Sequence, residues 1–420
     1  MKKPDEIFTE FKKHLSTLDK KKQVAEIIEF TIIYGDSFGV TIIPLIDEGI
    51  KIARDIGFES GEIIGYCNLA FFTGVMQGQI YSNYTAELAD INQMVEKIKH
   101  DAEWYPLGLN LLSYFHWFKG EYEKGFNLAF EGVKESAKHN LNRALAWNYY
   151  ALAIFYFDTK DFDNSKINYQ LAFDLFANEN YEYGMARSAT GLGTVAIVQN
   201  RTQDALPLLE YAAATYRELG HYSGLSRAVN DMGLLEKTNR AYDKAIKHLN
   251  ESIEVRKEIN HIQGLITSYT ELGETYLFMK NYELALKQFN YGLEFAMQAN
   301  SLQKQMRLYK LFYDTYKELN NPGLALKNFE QFYEIKTQLM SDEAANNIKK
   351  IQTKYETEKS EKEAEIERLK NVELKKAYTI IEEKNKDILD SIRYAKRIQN
   401  SLLPTEVYIE NALSRVMKKN

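Results

Sequence analysis

Apolar and polar residues follow one another through the middle of the chain with the spacing of amphipathic α-helices. In one stretch, Leu225, Val229 and Met232 recur three or four residues apart, so they share one helical face. A polar turn, TNRAYD, comes next, and it is followed by a second amphipathic stretch, AIKHLNESIEVRKEI. The pattern predicts units of two helices that are joined by polar turns.

The two-helix pattern repeats every forty residues, and small residues keep its register. Three columns of small residues recur at this spacing: Gly184, Gly224, Gly264; Gly193, Gly233, Gly273; and Ala205, Ala245, Ala285, with Gly125, Ser165 and Ala325 in the same column. A long fixed period predicts a solenoid of supersecondary units. A large side chain would push two crossing helices apart. We therefore expect the two helices of one unit to touch at Gly233 and Ala245.

We expect eight helix pairs between residues 21 and 340, after an N-terminal segment at 1–20. The units at 101–140, 141–180 and 301–340 fit the period more loosely. Two earlier pairs are predicted from local similarity, because RDIGFESG from Arg54 resembles RELGHYSG from Arg217. IIPLIDEG from Ile42 likewise resembles ALPLLEYA from Ala205.

These repeats resemble the tetratricopeptide repeat. That family has a small residue in the first helix, matched by Gly193, Gly233 and Gly273, and an alanine twelve positions later. The aromatic residue expected three positions after the small one is present as Tyr156 and Tyr276, whereas Ala196 and Glu236 depart from the pattern. The period is forty rather than the usual ~34 residues, as in bacterial regulatory variants. The resemblance implies an all-α superhelical solenoid.

Tetratricopeptide repeats present a concave groove that is lined by their first helices. We expect the positions six and three before the small residue, and one, four and five after it, to face this groove. The predicted groove residues at these positions are Asn110, Trp117, Trp147, Tyr150, Arg187, Arg227, Asn230, Lys237 and Glu274. Aromatic residues beside two exposed arginines would suit a protein or peptide ligand with an apolar side chain and a carboxylate. Alternatively, the same residues are core or ordinary solvated surface.

From residue 341 to 403 the composition changes to charged residues in heptads. The predicted seam consists of Leu374, Tyr378, Ile381, Asn385, Ile388, Ile392, Ala395 and Leu402. This spacing is typical of a parallel homodimeric coiled coil, in which Asn385 would fix the register. The alternative is a single charged helix in solvent.

The heptads end in SIRYAKRIQNSLLP, residues 391–404, before a tail at 404–420. This stretch is similar to the segment that precedes the catalytic domain in bacterial SpoIIE-type serine phosphatases, which are related to protein phosphatase 2C. The resemblance implies a sensor that signals through a coiled coil to a phosphatase. The chain departs from that family because the metal-binding aspartates of the catalytic domain are absent. We therefore expect no enzyme activity from this chain, and a free-standing repeat scaffold is the alternative function.

Charge and composition narrow the classes of partner. The formal net charge is −6. Proteins that bind nucleic acid usually present a basic face, so this charge argues against a nucleic-acid partner. No apolar run is long enough for a bilayer and no signal peptide is evident, so we expect a cytoplasmic protein with neither nucleic acid nor membrane as partner.

We also expect neither a cofactor nor a metal. The seven histidines form no HxxxH pair. The dinucleotide-like GLGTVA at 191–196 follows no strand and is interpreted as helix packing. The single cysteine, Cys67, is predicted to be a buried thiol rather than a nucleophile.

Overall fold

The computed structural model describes residues 3–76 and 90–339, together with eight separate positions between Lys384 and Asn411. The chain divides into two compact units, residues 1–349 and 350–420. The described part of the first unit is built from helices and turns and contains no strand.

Seventeen α-helices occur within the described residues. Their bounds are α1 Pro4–Leu15, α2 Lys20–Phe38, α3 Ile43–Asp55, α4 Glu59–Met76, α5 Ile91–Lys97, α6 Tyr105–Phe118, α7 Tyr122–Lys138, α8 Asn142–Asp158, α9 Phe162–Asn178, α10 Glu182–Val198, α11 Thr202–Leu219, α12 Tyr222–Thr238, α13 Tyr242–Glu258, α14 Ile262–Phe278, α15 Tyr282–Gln298, α16 Leu302–Glu318 and α17 Pro322–Leu339. A 3₁₀ turn, Gly39–Ile42, joins α2 to α3.

From α6 onward the helices form pairs, as the forty-residue period predicts. The ends of successive helices are about twenty residues apart along the chain. The second residue after each helix (the first after α11) adopts the left-handed backbone conformation. These residues are Gly120, Asn140, Lys160, Asn180, Asn200, Gly220, Arg240, Asn260, Lys280, Asn300 and Asn320. The next amide then donates back to the helix, as from Leu141 N to Ser136 O at 3.0 Å. Asparagine tolerates this conformation better than most residues, and the resulting bond satisfies a terminal carbonyl.

The small-residue columns mark close helix contacts. A Cβ atom at Gly233 would lie 2.8 Å from Leu249 Cγ and 3.4 Å from Ala245 O, which confirms the expected contact within the unit. The glycine column of Gly184, Gly224 and Gly264 marks close contacts between successive units. A Cβ at Gly224 would lie 2.5 Å from the ring of Tyr216 on the preceding helix. The GLGTVA stretch lies within α10, where Gly191 packs on Tyr169.

The two stretches of local similarity in the N-terminal region occupy matching places in the fold. Gly57 and Gly220 each end a second helix with φ of +68°, and Pro44 and Pro207 each lie near the start of one. The helix α3 therefore corresponds to α11, and α4 to α12. The second half of the pair that begins with α4 falls partly on residues 77–89, outside the described part.

Successive units meet mainly where the second helix of one unit packs against the first helix of the next, as α7 does against α8. First helices also pack against one another, α6 against α8, α8 against α10 and α10 against α12, and in the described residues successive second helices lack comparable packing. Elements on the inner side of a curved stack lie closest together. The first helices therefore form the concave side of the solenoid, and the second helices lie on the convex side.

The second unit is described at isolated positions only. Ser391, Arg393, Tyr394 and Arg397 are helical and exposed, and Arg393 pairs with Asp390 at 3.2 Å. The predicted seam lies outside the described residues at Leu374, Tyr378, Ile381, Asn385, Ile388, Ile392, Ala395 and Leu402. The coiled coil therefore stays a prediction.

Across the described ranges, no helix combines the length and the apolarity needed to cross a bilayer.

Candidate binding groove

Polar side chains bridge neighbouring first helices along the concave side, usually 37 residues apart. Arg187 Nε donates to Tyr150 OH at 3.2 Å, and Thr194 Oγ1 donates to Asp231 Oδ2 at 2.7 Å. The spacing follows from the period, because a residue one helical turn earlier in the next repeat lies beside its partner. The concave side is therefore a polar surface with defined side-chain positions.

The nine predicted groove residues differ in their exposure. Buried are Asn110, Trp117, Trp147, Tyr150 and Asn230; partly buried are Arg187, Lys237 and Glu274; and exposed is Arg227. The expectation that both arginines are exposed therefore holds for Arg227 and is wrong for Arg187.

Trp117 and Asn110 lie in the core of the N-terminal repeats. The Trp117 ring stacks on Phe155 with centroids 4.3 Å apart, and its indole Nε1 donates to Asp158 at 2.9 Å. Asn110 Nδ2 donates to the Trp147 carbonyl at 2.9 Å. These side chains hold the first helices together, so their role in any binding would be to shape the groove.

Arg187 is held by neutral partners. Its Nη1 donates to Tyr183 OH at 2.7 Å, in addition to the bond with Tyr150. The guanidinium carbon lies 5.8 Å from the Trp147 ring centroid and 5.1 Å from that of Tyr150, which is within cation–π range. Within the described part of the chain Arg187 forms no ion pair. Its charge is oriented but not neutralised by a contact.

Arg227 lies forty residues further along the same column. It is exposed, and among the described residues it forms neither a hydrogen bond nor an ion pair. Asp158 and Asp231 lie in its surroundings, and burial raises the pKa of both carboxyl groups while the charge of Arg227 opposes that rise. Each of these carboxylates already accepts a bond, from Trp117 and Thr194 respectively. In the described part of the chain, neither carboxylate forms a hydrogen bond or an ion pair with Arg227, so the guanidinium donors remain available to an external acceptor.

The C-terminal half of the groove is internally paired. Lys237 forms ion pairs with Glu271 and, at 2.7 Å, with Glu274. Arg307 contacts the same two carboxylates at 2.9 and 2.6 Å. Two predicted groove residues, Lys237 and Glu274, thus neutralise each other here. The other two predicted groove cations, Arg187 on α10 and Arg227 on α12, form no ion pair within the described residues.

Arg256, which the groove positions do not include, is buried between α13 and α14. Its Nη1 donates to Gly264 O and Ser268 Oγ, both at 2.6 Å, and to Asn230 Oδ1 at 3.2 Å. Burial lowers its pKa to about 10. The sequence contains a signal for this buried arginine, because Phe176 and Tyr216 occupy the same column of the repeat. An arginine in a column of buried aromatic residues needs hydrogen-bond acceptors around it.

The structure also places α2 against three later repeats, which the sequence did not predict. Arg143 pairs with Glu29 at 3.5 Å, Tyr183 OH donates to Ile32 O at 3.4 Å, and His221 Nε2 donates to Ile33 O at 2.6 Å. Tyr34 OH donates to Leu219 O at 3.0 Å, and Ser223 N donates to Ser37 Oγ at 3.2 Å. Apart from Leu219 at the C-terminal end of α11, these contacts lie at the N-terminal ends of α8, α10 and α12, so α2 runs along one edge of the concave side. We call residues 29–37 the strap.

Cys67 is buried, as predicted, and burial raises the pKa of its thiol. Within the described ranges, no three His, Cys, Asp or Glu side chains are grouped so that they could hold a metal ion.

Comparison with known proteins supports the repeat assignment. Residues 146–179 match the family model described as Tetratricopeptide repeat. No curated protein is significantly similar to the chain.

Solved structures share the fold at low sequence identity. A Rap protein complexed with Competence and Sporulation Factor has a TM-score of 0.50 and 12% identity, over 76% of this chain and 99% of that one. RapI has a TM-score of 0.50 and 14% identity, over 65% and 98%. The APC/C hetero-tetramer Cut9-Hcn1 has a TM-score of 0.54 and 13% identity, over 81% of this chain and 58% of that one. The fold is a tetratricopeptide-repeat solenoid.

Proposed function

We propose that this chain is a protein-interaction module whose concave groove binds a protein or peptide partner. The observation that carries the proposal is the free guanidinium of Arg227 beside the oriented guanidinium of Arg187. Charged groups elsewhere along the groove, such as Lys237 and Glu274, pair with each other. Arginines that lack an ion-pair partner on a preformed surface favour a ligand that carries acceptor oxygens, above all a carboxylate.

The fold comparison is consistent with this function. A Rap protein of the same fold was determined in complex with Competence and Sporulation Factor. We infer that a solenoid of this kind can serve as a receptor, while the ligand of this chain is set by its own residues.

We further propose that binding is relayed through a dimer of residues 341–403 to a SpoIIE-type phosphatase. This part of the proposal is supported by the resemblance of Ser391–Pro404 to the segment before that catalytic domain. A free-standing scaffold is the second candidate function. A reading frame that continues past Asn420 into a phosphatase domain would favour the relay, and a stop codon at that point would favour the scaffold.

The binding proposal is tested by Arg227→Ala in the full chain. Partners are captured from a lysate and identified, and their affinity for the purified variant is then measured by calorimetry. We expect affinity to fall about tenfold, the loss of one charge-assisted pair. The matched control is Arg217→Ala, which removes an exposed arginine from the convex helix α11 and breaks its pair with Glu251. Equal affinity for the wild type and Arg227→Ala would refute binding at this surface.

A further inference from the structure

The helix α17 has an apolar face that no first helix covers among the described residues. In the units from α6 to α15, the second helix packs against the first helix of the next unit. The corresponding face of α17 is open to solvent: Leu326 is 58% exposed, Phe329 38% and Tyr333 59%. We call these three residues the end face.

The residues that correspond to Phe329 in the five earlier units are all buried: Ala129, Tyr169, Leu209, Leu249 and Phe289. This column meets the next unit, because Tyr169 packs on Gly191 of α10 and Phe289 packs on Phe312 of α16. The end face is therefore a surface that is core in the rest of the solenoid. Large exposed apolar surfaces of this kind mark interaction sites.

The column of Phe332 shows that an ordinary further repeat would not fit the end face. In the earlier units this column holds small, buried residues: Gly132, Ala172, Ala212, Ser252 and Gly292. A Cβ at Gly292 would already lie 3.3 Å from Leu308 on α16, the next first helix. A phenylalanine in this column would push a first helix away. The occupant of the end face must therefore approach differently from a first helix of this solenoid.

Spacing and charge fit the end face to a second copy of itself. Leu326, Phe329 and Tyr333 are three and four residues apart, which is the spacing of the seam between two paired helices. Phe329 is fixed on its own unit by Tyr313, with ring centroids 5.1 Å apart. The charged residues of α17 are balanced in sign: Lys327, Glu330, Glu334 and Lys336. Two copies of α17 therefore carry no net charge that would hold them apart.

The position of α17 in the chain also favours a second copy. The helix ends at Leu339, and the predicted dimer of residues 341–403 begins directly afterwards. Pairing of that segment would tether the two copies of α17 to each other and raise their effective concentration. Three side chains form too small an interface for a stable dimer by themselves. The end faces would thus pair as an addition to the predicted dimer.

We propose that the end face of α17 binds the end face of a second copy of the chain. The contact is isologous, so the same three residues line both of its sides. It joins the ends of two solenoids in addition to the pairing of residues 341–403, and it rests on that part of the proposed function. The groove on the concave side is not involved.

Crosslinking of the full chain tests which surface lies at the contact. Tyr333→Cys places an exposed thiol in the end face, and the natural thiol of Cys67 is buried. The matched control is Ile167→Cys, which replaces a residue of the convex helix α9 that is 54% exposed. With a short bismaleimide, we expect several times more crosslinked dimer from position 333 than from position 167. Equal yields would overturn the proposal.

Sedimentation of the full chain measures what the contact contributes. Leu326→Glu/Tyr333→Glu brings four like charges together in the dimer, so we expect its dissociation constant to rise at least about tenfold. Ile167→Glu should leave the dissociation constant unchanged. Because all three residues are exposed, circular dichroism should show that the repeats stay folded in both variants.

An unchanged dissociation constant in Leu326→Glu/Tyr333→Glu would assign the end face to an occupant other than a second copy, and the predicted dimer of residues 341–403 would still stand. A wild-type chain that is monomeric at tens of micromolar would overturn both contacts. Neither result bears on binding in the groove, which the response of partner affinity to Arg227→Ala tests separately.

Discussion

Arg187 and Arg227 occupy the same column of the repeat, but their surroundings differ. Arg187 is oriented by two phenols and stacked near Trp147, whereas Arg227 is exposed with no bonded partner in the described part of the chain. The column predicted that both would lie on the first helix and near the groove. It could not predict burial, because the column of Tyr183 holds Ser223 and Gln263 in the next two repeats, and the strap that contacts Tyr183 belongs to the distant helix α2.

Trp117 shows the same limit at a second residue. Position in the repeat predicts that Trp117 faces the groove, as it does for the other groove candidates. In the structure its ring fills a core formed with Phe155, and Asp158 satisfies its indole N–H. A position in a repeat predicts the helical face, but the size of the neighbouring side chains decides whether that face is covered.

Because His221 is buried with both ring nitrogens hydrogen-bonded, we expect the stability of the fold to depend on pH. Both its ring nitrogens are used, since Nδ1 accepts from Gly224 N at 2.8 Å and Nε2 donates to Ile33 O. Burial lowers its pKa to about 4, against the opposing effect of Asp36. The folded-state pKa is below the unfolded value of about 6.5, so the stabilisation is complete above that value and is lost as the pH falls toward 4.

Between pH 7 and pH 5 we expect His221 to remove about 2 kcal/mol of the free energy of unfolding. The measurement is urea unfolding of the wild type and of His221→Asn, in which an amide oxygen can replace the cap to Gly224 but does not titrate. The variant should be less stable at pH 7 and should lose less stability on acidification. An equal loss in both proteins would show that His221 stays neutral or contributes nothing.

At the scale of the helix pair, the twenty-residue spacing of helix ends explains the regularity of the solenoid. A left-handed residue closes each helix from α7 to α16, and asparagine occupies six of these positions. This signal is visible in the sequence as Asn140, Asn180, Asn200, Asn260, Asn300 and Asn320. Hydrophobic periodicity does not reveal these helix ends, and the asparagine column is incomplete because Lys160, Arg240 and Lys280 occupy equivalent positions.

The glycine columns predict how substitutions should affect one helix pair. A Cβ at Gly273 would lie 2.4 Å from the buried Phe289 ring, and 3.2 Å from Ala285 O, so Gly273→Ala forces α14 and α15 apart. We expect a loss of about 1–3 kcal/mol, which outweighs the gain in helix propensity of about 1 kcal/mol. The matched control is Gly292→Ala, whose Cβ would meet Leu308 at 3.3 Å.

Urea unfolding followed by far-UV circular dichroism distinguishes these two variants. Gly273→Ala should lower the midpoint, while Gly292→Ala should leave it unchanged or raise it. Similar midpoints for the two variants would show that the columns reflect something other than close helix contact.

At the scale of the whole molecule, the strap could not be predicted from local pattern. Its hydrogen bonds join residues about 150 to 190 positions apart, between α2 and the N-terminal ends of α10 and α12. The period and the small residues predicted the solenoid itself, because each of its contacts is with a neighbouring unit. The contact of α2 with later repeats depends on the summed twist of all the units between them. No short sequence motif predicts this sum.

The predicted dimer belongs to this scale as well. Ile381 and Ile388 lie on the seam of the heptads, and Asp at both positions would place charge in the seam of each strand. Sedimentation of Ile381→Asp/Ile388→Asp should give a monomer whose repeats retain their circular dichroism. A wild-type chain that is monomeric at tens of micromolar, or a variant that stays dimeric, would favour the alternative of a single charged helix in solvent.

The central claim, that the concave side of the solenoid holds the partner, is tested most directly by photocrosslinking from single positions in the full chain. A photoreactive residue replaces Val198, which lies on α10 in the same column as Asp158, or replaces Ile167, an exposed residue of the convex helix α9. We predict a crosslink to the captured partner from position 198 and none from position 167. A crosslink from position 167 alone would contradict the account, because the partner would then occupy the convex side.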